Sequence, residues 1–176
     1  MDMVEKKLDS SLIYDGKIIR VEKDTVLCPN GKKANREVVR HNGGAAILCV
    51  TKDNKVLLER QFRYPYDEII YEIPAGKLEK GEDPYKAALR ELEEETGNKA
   101  SELIHLTDIY PTCGYSSEII YLYLAKDFVK TETNFDEDEV IESEFIPLDE
   151  VKAMIKDGRI KDAKTICALS LYLLKY

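Results

Sequence analysis

The chain has 176 residues, enough for one domain with a real core and a small appended element. With 44% hydrophobic and 34% charged residues it is not a disordered chain, and no apolar run reaches the roughly 18 residues a membrane helix needs. A net charge of −8 argues against nucleic acid as a partner, because such binding is driven by basic patches.

In chain order, the N-terminal part carries short β-like runs at 18–21, 25–28 and 37–40, separated by the turn formers Pro29-Asn30-Gly31. Gly43-Gly44 punctuates before an expected hairpin: a strand at 45–50, a polar turn at Asp53-Asn54, and a second strand at 56–62, both placed in a central sheet. A strand at 68–73 is closed by Pro74 and leads through Ala75-Gly76 into a loop and a helix. Strands at 103–110 and 119–125 follow, and 145–147 ends another. A helix at 149–156 is stopped by Gly158, and Asp162 is the expected N-cap of a last helix at 163–175. Mixed strands with a few helices predict an α+β fold, or an α/β/α sandwich.

Cys28, Cys49, Cys113 and Cys167 are scattered, without a CxxC pair, and so offer no zinc spacing. The start MDMVEKKLDS has no signal-peptide core, so reduced thiols and a cytoplasmic location are expected. His41 and His105 are lone residues, expected in structural or surface roles.

The segment from Gly76 to Gly97, GKLEKGEDPYKAALRELEEETG, is the richest in chemistry. Asp83 suits a helix N-cap, Pro84 the first helical position and Gly97 the left-handed position after the last turn. At about 100° per residue Glu91, Glu94 and Glu95 share one arc of roughly 100°. Tyr85, Leu89, Leu92 and Thr96 form the stripe expected to face a core, Lys86 and Glu93 the solvated side, and Ala87 and Ala88 leave space beside the acids for a ligand. Like charges at these spacings cost about 0.2–0.5 kcal/mol per pair, and Arg90 alone cannot neutralise three carboxylates. Hard oxygen ligands on a rigid helix suit Mg²⁺ or Mn²⁺; a merely solvated acidic face is the competing reading of the helix by itself.

Gly76, Glu82 and Arg90-Glu91-Leu92-x-Glu94-Glu95-x-Gly97 resemble, position by position, the signature of the Nudix hydrolases, which cleave a nucleoside diphosphate linked to another group. The pattern departs at Asn98, where the family has an aliphatic residue. Four further segments resemble the ADP-ribose pyrophosphatase branch: Arg36-Glu37-Val38-Val39, Glu59-Arg60-Gln61-Phe62-Arg63, Glu72-Ile73-Pro74-Ala75-Gly76, and Tyr110 to Glu118 with Cys113 where proline is usual. Asp162-Ala163-Lys164-Thr165 is similar as well.

The resemblance implies a Nudix α/β/α sandwich at 43–176 with a mixed central sheet, and an N-terminal β extension at 1–42. It implies Mg²⁺-dependent (Mn²⁺ possible) hydrolysis of ADP-ribose to AMP and ribose 5-phosphate. Glu91, Glu95, Glu139 and the carbonyl of Ala75 would hold metal, Glu137 would act as base, and Glu94 and Arg90 complete the catalytic group. Arg36, Glu37, Arg63 and Glu118 would bind substrate, and a homodimer with swapped N-terminal strands is expected. The alternatives are a Nudix pyrophosphatase for another nucleoside diphosphate sugar or a dinucleoside polyphosphate, and a non-catalytic sensor of ADP-ribosyl ligands.

Overall fold

In the computed structural model, which describes residues 3–134 and 140–176, the chain forms two compact units. The first unit takes Met1–Gly43 and Tyr110–Ile119. Its strands β1 (Lys6–Asp15), β2 (Arg20–Leu27) and β3 (Lys33–Arg40) form an antiparallel sheet in that order. The expected runs at 18–21 and 25–28 are thus one strand. The acids between those runs are held by neighbouring cations: Lys7 to Asp24 at 2.9 Å, Arg40 to Glu22 at 2.9 Å and Arg20 to Glu22 at 3.1 Å. Strand β1 escapes sequence reading because all ten of its residues are exposed, so no buried period marks it. The segment Tyr110–Ile119 joins β3 through Val39, whose N–H donates to Tyr115 O and whose carbonyl accepts from Ser117 N–H.

The second unit continues with β4 (Gly44–Cys49), β5 (Lys55–Arg63), β6 (Glu68–Glu72), β7 (Ala75–Lys77), α1 (Pro84–Thr96), β8 (Asn98–Ala100), β9 (Ile104–Ile109), β10 (Ile120–Ala125), β11 (Phe128–Lys130), β12 (Ile141–Pro147), α2 (Leu148–Lys156) and α3 (Ala163–Lys175). Strand order β7-β4-β10-β9 makes a mixed sheet, with β4 and β10 parallel and both edges antiparallel. Strands β12-β5-β6 form a separate antiparallel sheet, and β11 pairs with β8. The expected hairpin is corrected here: β4 and β5 lie in different sheets, and an isolated bridge joins Val50, just past β4, to Val56.

Alternation along fully buried β4 explains the layers. Ala46 and Leu48 pack with Leu122, Leu124, Val151, Met154, Ala168 and Leu169, on the side covered by α2 and α3. Ala45, Ile47 and Cys49 pack with Tyr123, Ala87, Ala88 and Leu92, on the side covered by α1. The class is α+β, with helices on both faces of the mixed sheet, as predicted.

Candidate active site

Helix α1 begins and ends where its residues dictate. The Asp83 carboxylate accepts from Lys86 N–H at 3.0 Å, Pro84 occupies the first turn, and Gly97 closes the helix at φ 59°, ψ 34°. Gly97 is doubly constrained, because a Cβ there would stand 2.8 Å from the Thr131 carbonyl. The chain entering the acidic run 134–139 is bonded to this helix end. Lys130 Nζ donates to Thr96 O, Thr131 N–H to Gly97 O, and Asn134 N–H to Glu94 O, all within 2.7–2.8 Å.

Leu92 and Thr96 are fully buried and Tyr85 and Leu89 half-buried, as the expected stripe requires. Ala87 and Ala88 correct the sequence reading: they leave no ligand space but lie fully buried in the core beneath α1. Glu95 is also buried, at 5% exposure. The inward face is therefore rotated toward the acids, by roughly 70° on the helical wheel. The helix rests its acidic edge on β7.

Gly76 permits that contact. A Cβ built on it would fall within the Glu91 carboxylate, so only glycine lets the carboxylate lie against this strand. One residue earlier, Ala75 N–H donates to Glu95 Oε2 at 3.1 Å. Arg90 ties the acids together, at 2.9 Å from both Glu91 and Glu94 and with Nε and Nη2 each 3.2 Å from Glu82. Glu82 in turn accepts from Glu79 N–H at 2.9 Å, bracing the loop before the helix. Burial pushes the Glu82 carboxyl up, but its bonds to Arg90 and Glu79 N–H outweigh that and hold it below the ordinary range. Asn98, the departure from the family pattern, is buried yet satisfied: its side-chain amide donates to Thr96 O at 3.0 Å and Thr96 Oγ1 at 2.9 Å.

The same Glu72-to-Gly76 segment is gripped from its other end. Arg63 forks onto the buried Glu72 with two bonds of 2.7 Å, and Lys164 pairs with the same carboxylate. Asp162 pairs with Lys164 at 3.1 Å and caps α3 by accepting from Thr165 N–H. Thr165 Oγ1 accepts from Ile73 N–H at 2.9 Å, and Ile47 N–H donates to Pro74 O at 2.9 Å. The Arg63 fork expected on phosphates thus faces Glu72.

In the first unit, Arg36 bonds Glu5 through Nε at 3.0 Å and through Nη2. Glu37 is exposed on β3, while Glu118 is half-buried and 3.6 Å from His41. His105 pairs with Asp108 on the surface. Glu137 and Glu139 lie outside the described residues. Among the described residues no three His, Cys, Asp or Glu side chains form a ligating group by themselves; the expected set counts Glu139 and the Ala75 carbonyl. The donors present, carboxylate and carbonyl oxygens with the glycine cradle beside Glu91, fit a hard divalent cation. Sequence reading missed roles for Glu72 and Lys164; the available signal was an acid ending an apolar strand and a lysine in the first turn of an apolar helix.

A NUDIX domain family model matches residues 40–169, and a nucleoside diphosphate sugar hydrolase N-terminal domain model matches residues 5–39. The chain is 43% identical over 167 residues to a methanol dehydrogenase activator of Bacillus methanolicus, covering 94% of this chain and 90% of that protein. It is 40% identical over 173 residues to an ADP-ribose pyrophosphatase of Bacillus subtilis (strain 168), covering 97% and 94%. The crystal structure of an ADP compounds hydrolase superposes with a TM-score of 0.84 at 24% identity, covering 97% of this chain and 92% of that one, a likeness of fold. With the signature helix, its glycine cradle and these matches in agreement, the chain belongs to the Nudix family.

Proposed function

We propose that this protein is a Mg²⁺-dependent pyrophosphatase that hydrolyses ADP-ribose to AMP and ribose 5-phosphate. The observation that carries the reading is the half-buried carboxylate face of α1 set against Ala75 and Gly76, an arrangement that is costly without a cation. The relative named ADP-ribose pyrophosphatase, alike over 97% of this chain, supports the choice of substrate.

In this reading Glu91, Glu95, Glu139 and the Ala75 carbonyl hold the metal. When bound, the metal supplies charge stabilisation at the phosphates and lowers the pKa of water. Glu137 takes the proton of the attacking water, whose oxygen bonds to one phosphorus while the bridging oxygen leaves with the other phosphate. Arg90 keeps Glu91 and Glu94 oriented through its ion pairs and leaves substrate to other groups. Arg36, Glu37 and Glu118 bind the diphosphate and ribose portions, and Arg63, whose Nε and Nη2 hold Glu72, offers the phosphates its positive charge rather than its fork. The protein works in the cytoplasm as a homodimer with swapped N-terminal strands; exposed Leu8, Leu12, Ile13 and Tyr14 on β1 support a second copy as partner.

The test is incubation with a panel of nucleoside diphosphate derivatives and Mg²⁺, with products identified by phosphorus NMR. AMP and ribose 5-phosphate released from ADP-ribose faster than products from any other member is the expected result. Preference for another nucleoside diphosphate sugar would reassign the substrate, and silence across the panel would leave a non-catalytic ADP-ribosyl binder.

A further inference from the structure

The segment Glu72-Ile73-Pro74-Ala75-Gly76 is held by two helices in succession. Its first two residues are bound by the opening turn of α3: Lys164 pairs with the Glu72 carboxylate, and Thr165 Oγ1 accepts from Ile73 N–H at 2.9 Å. Its last two contact the acids of α1: Ala75 N–H donates to Glu95 at 3.1 Å, and Gly76 backs the Glu91 carboxylate. Lys164 is 8% exposed and Glu72 2%, so their pair is shielded from water and salt. The strand register sets a second buried acid, Glu59, opposite Glu72. Both cations, Arg63 and Lys164, engage the Glu72 carboxylate and so hold this strand end in place.

We infer that Lys164, through its ion pair with Glu72, is a positioning residue for the carboxylate site on α1. Removing its charge leaves Glu72 with only Arg63, weakens the grip of α3 on the segment, and lets the backbone beneath Glu91 and Glu95 shift. In this role Lys164 acts through the five consecutive backbone residues from Glu72 to Gly76, not as a metal ligand. The inference rests on the reading of α1 as a metal site.

The test is Mn²⁺ binding to the substrate-free protein, read from the loss of the free-ion EPR signal, alongside kcat and KM for ADP-ribose. Lys164→Met should weaken Mn²⁺ about tenfold or more and lower kcat, with KM changed by less than about threefold. Glu72→Gln should do the same, and Lys164→Arg should restore Mn²⁺ affinity to within about threefold of the native protein. Native protein that binds no Mn²⁺ would refute the metal reading of α1. Native binding with unchanged affinity and kcat in folded Lys164→Met and Glu72→Gln would overturn the positioning role alone. If Lys164→Met does not fold, Glu72→Gln decides; failure of both to fold would make the pair a support of the fold and overturn the inference.

Discussion

Gly76→Ala separates stability from function at this site. The added Cβ would overlap the Glu91 carboxyl carbon and both its oxygens, while the backbone at this position needs no left-handed conformation. Relief to an ordinary contact of about 3.5 Å requires the carboxylate to retreat on the order of 1.5 Å. The obstructed group is the far end of a flexible side chain, so the fold loses little, on the order of 1 kcal/mol for one displaced rotamer. Glu91 nevertheless leaves β7 and strains its 2.9 Å contact with Arg90. A misplacement of about 1 Å in a catalytic constellation can cost on the order of 100-fold in rate. Steady-state release of AMP from ADP-ribose, measured beside a thermal melt, should show kcat/KM down by about that factor with Tm lowered by only a few degrees. A variant within threefold of the native rate would refute the claim that the glycine exists to seat Glu91.

Glu95→Gln keeps the acceptor for Ala75 N–H but removes the charge, so turnover should fall by orders of magnitude while the melt is unchanged; near-normal turnover would remove Glu95 from the site. Asp83→Ala deletes the α1 cap and should cost about 1 kcal/mol in denaturant-derived stability, with no more loss of activity than the unfolded fraction explains. Burial pushes the Glu72 carboxyl up, but its bond to Arg63 and the Lys164 and Arg63 charges outweigh burial and hold it below its ordinary value of 4.5. Its contribution is therefore complete above that value and is lost as pH falls through the lower folded-state pKa. Denaturant midpoints measured from pH 6 downward should show an acid-side loss that is shallower in Glu72→Gln; identical slopes would exclude Glu72 as a source of acid sensitivity.

What could be read in advance follows the range of the interactions involved. The ends of α1 were legible because Asp83, Pro84 and Gly97 act on their own neighbours. Its inward face was not, since the helical wheel treats Glu95 as polar and hence outward, whereas a long-range contact with Ala75 draws it inside. Strand β1 carries no apolar alternation and exists through pairing with β2, which no local pattern announces. The separation of β4 from β5 is likewise a tertiary choice, overriding a sequence that reads as a hairpin. Asn98 looked like a defect in the pattern and is a satisfied polar substitute, because Thr96 two residues earlier supplies both acceptors.

The electrostatic logic extends beyond the helix. Three acids on α1 destabilise it at low dielectric unless each is partnered, and the described structure partners them unequally. Glu94 is met by Arg90 near solvent, Glu91 shares that guanidinium, and Glu95 accepts from a backbone N–H and lies close enough to Arg63 for its charge to raise that guanidinium's proton affinity. The most buried of the three acids thus rests beside a cation already engaged by Glu72. A divalent ion would add positive charge beside the buried Glu95, where the Arg63 guanidinium is already engaged by Glu72. On this argument metal removal should loosen Glu95 before Glu94. Hydrogen exchange at Ala75 N–H, compared with and without Mg²⁺, should then slow on metal addition by more than exchange at Lys86 N–H, whose acceptor is the remote cap Asp83. Equal protection changes at the two amides would show that the metal stiffens the helix as a whole, and would separate its binding from the strand that Gly76 and Ala75 provide.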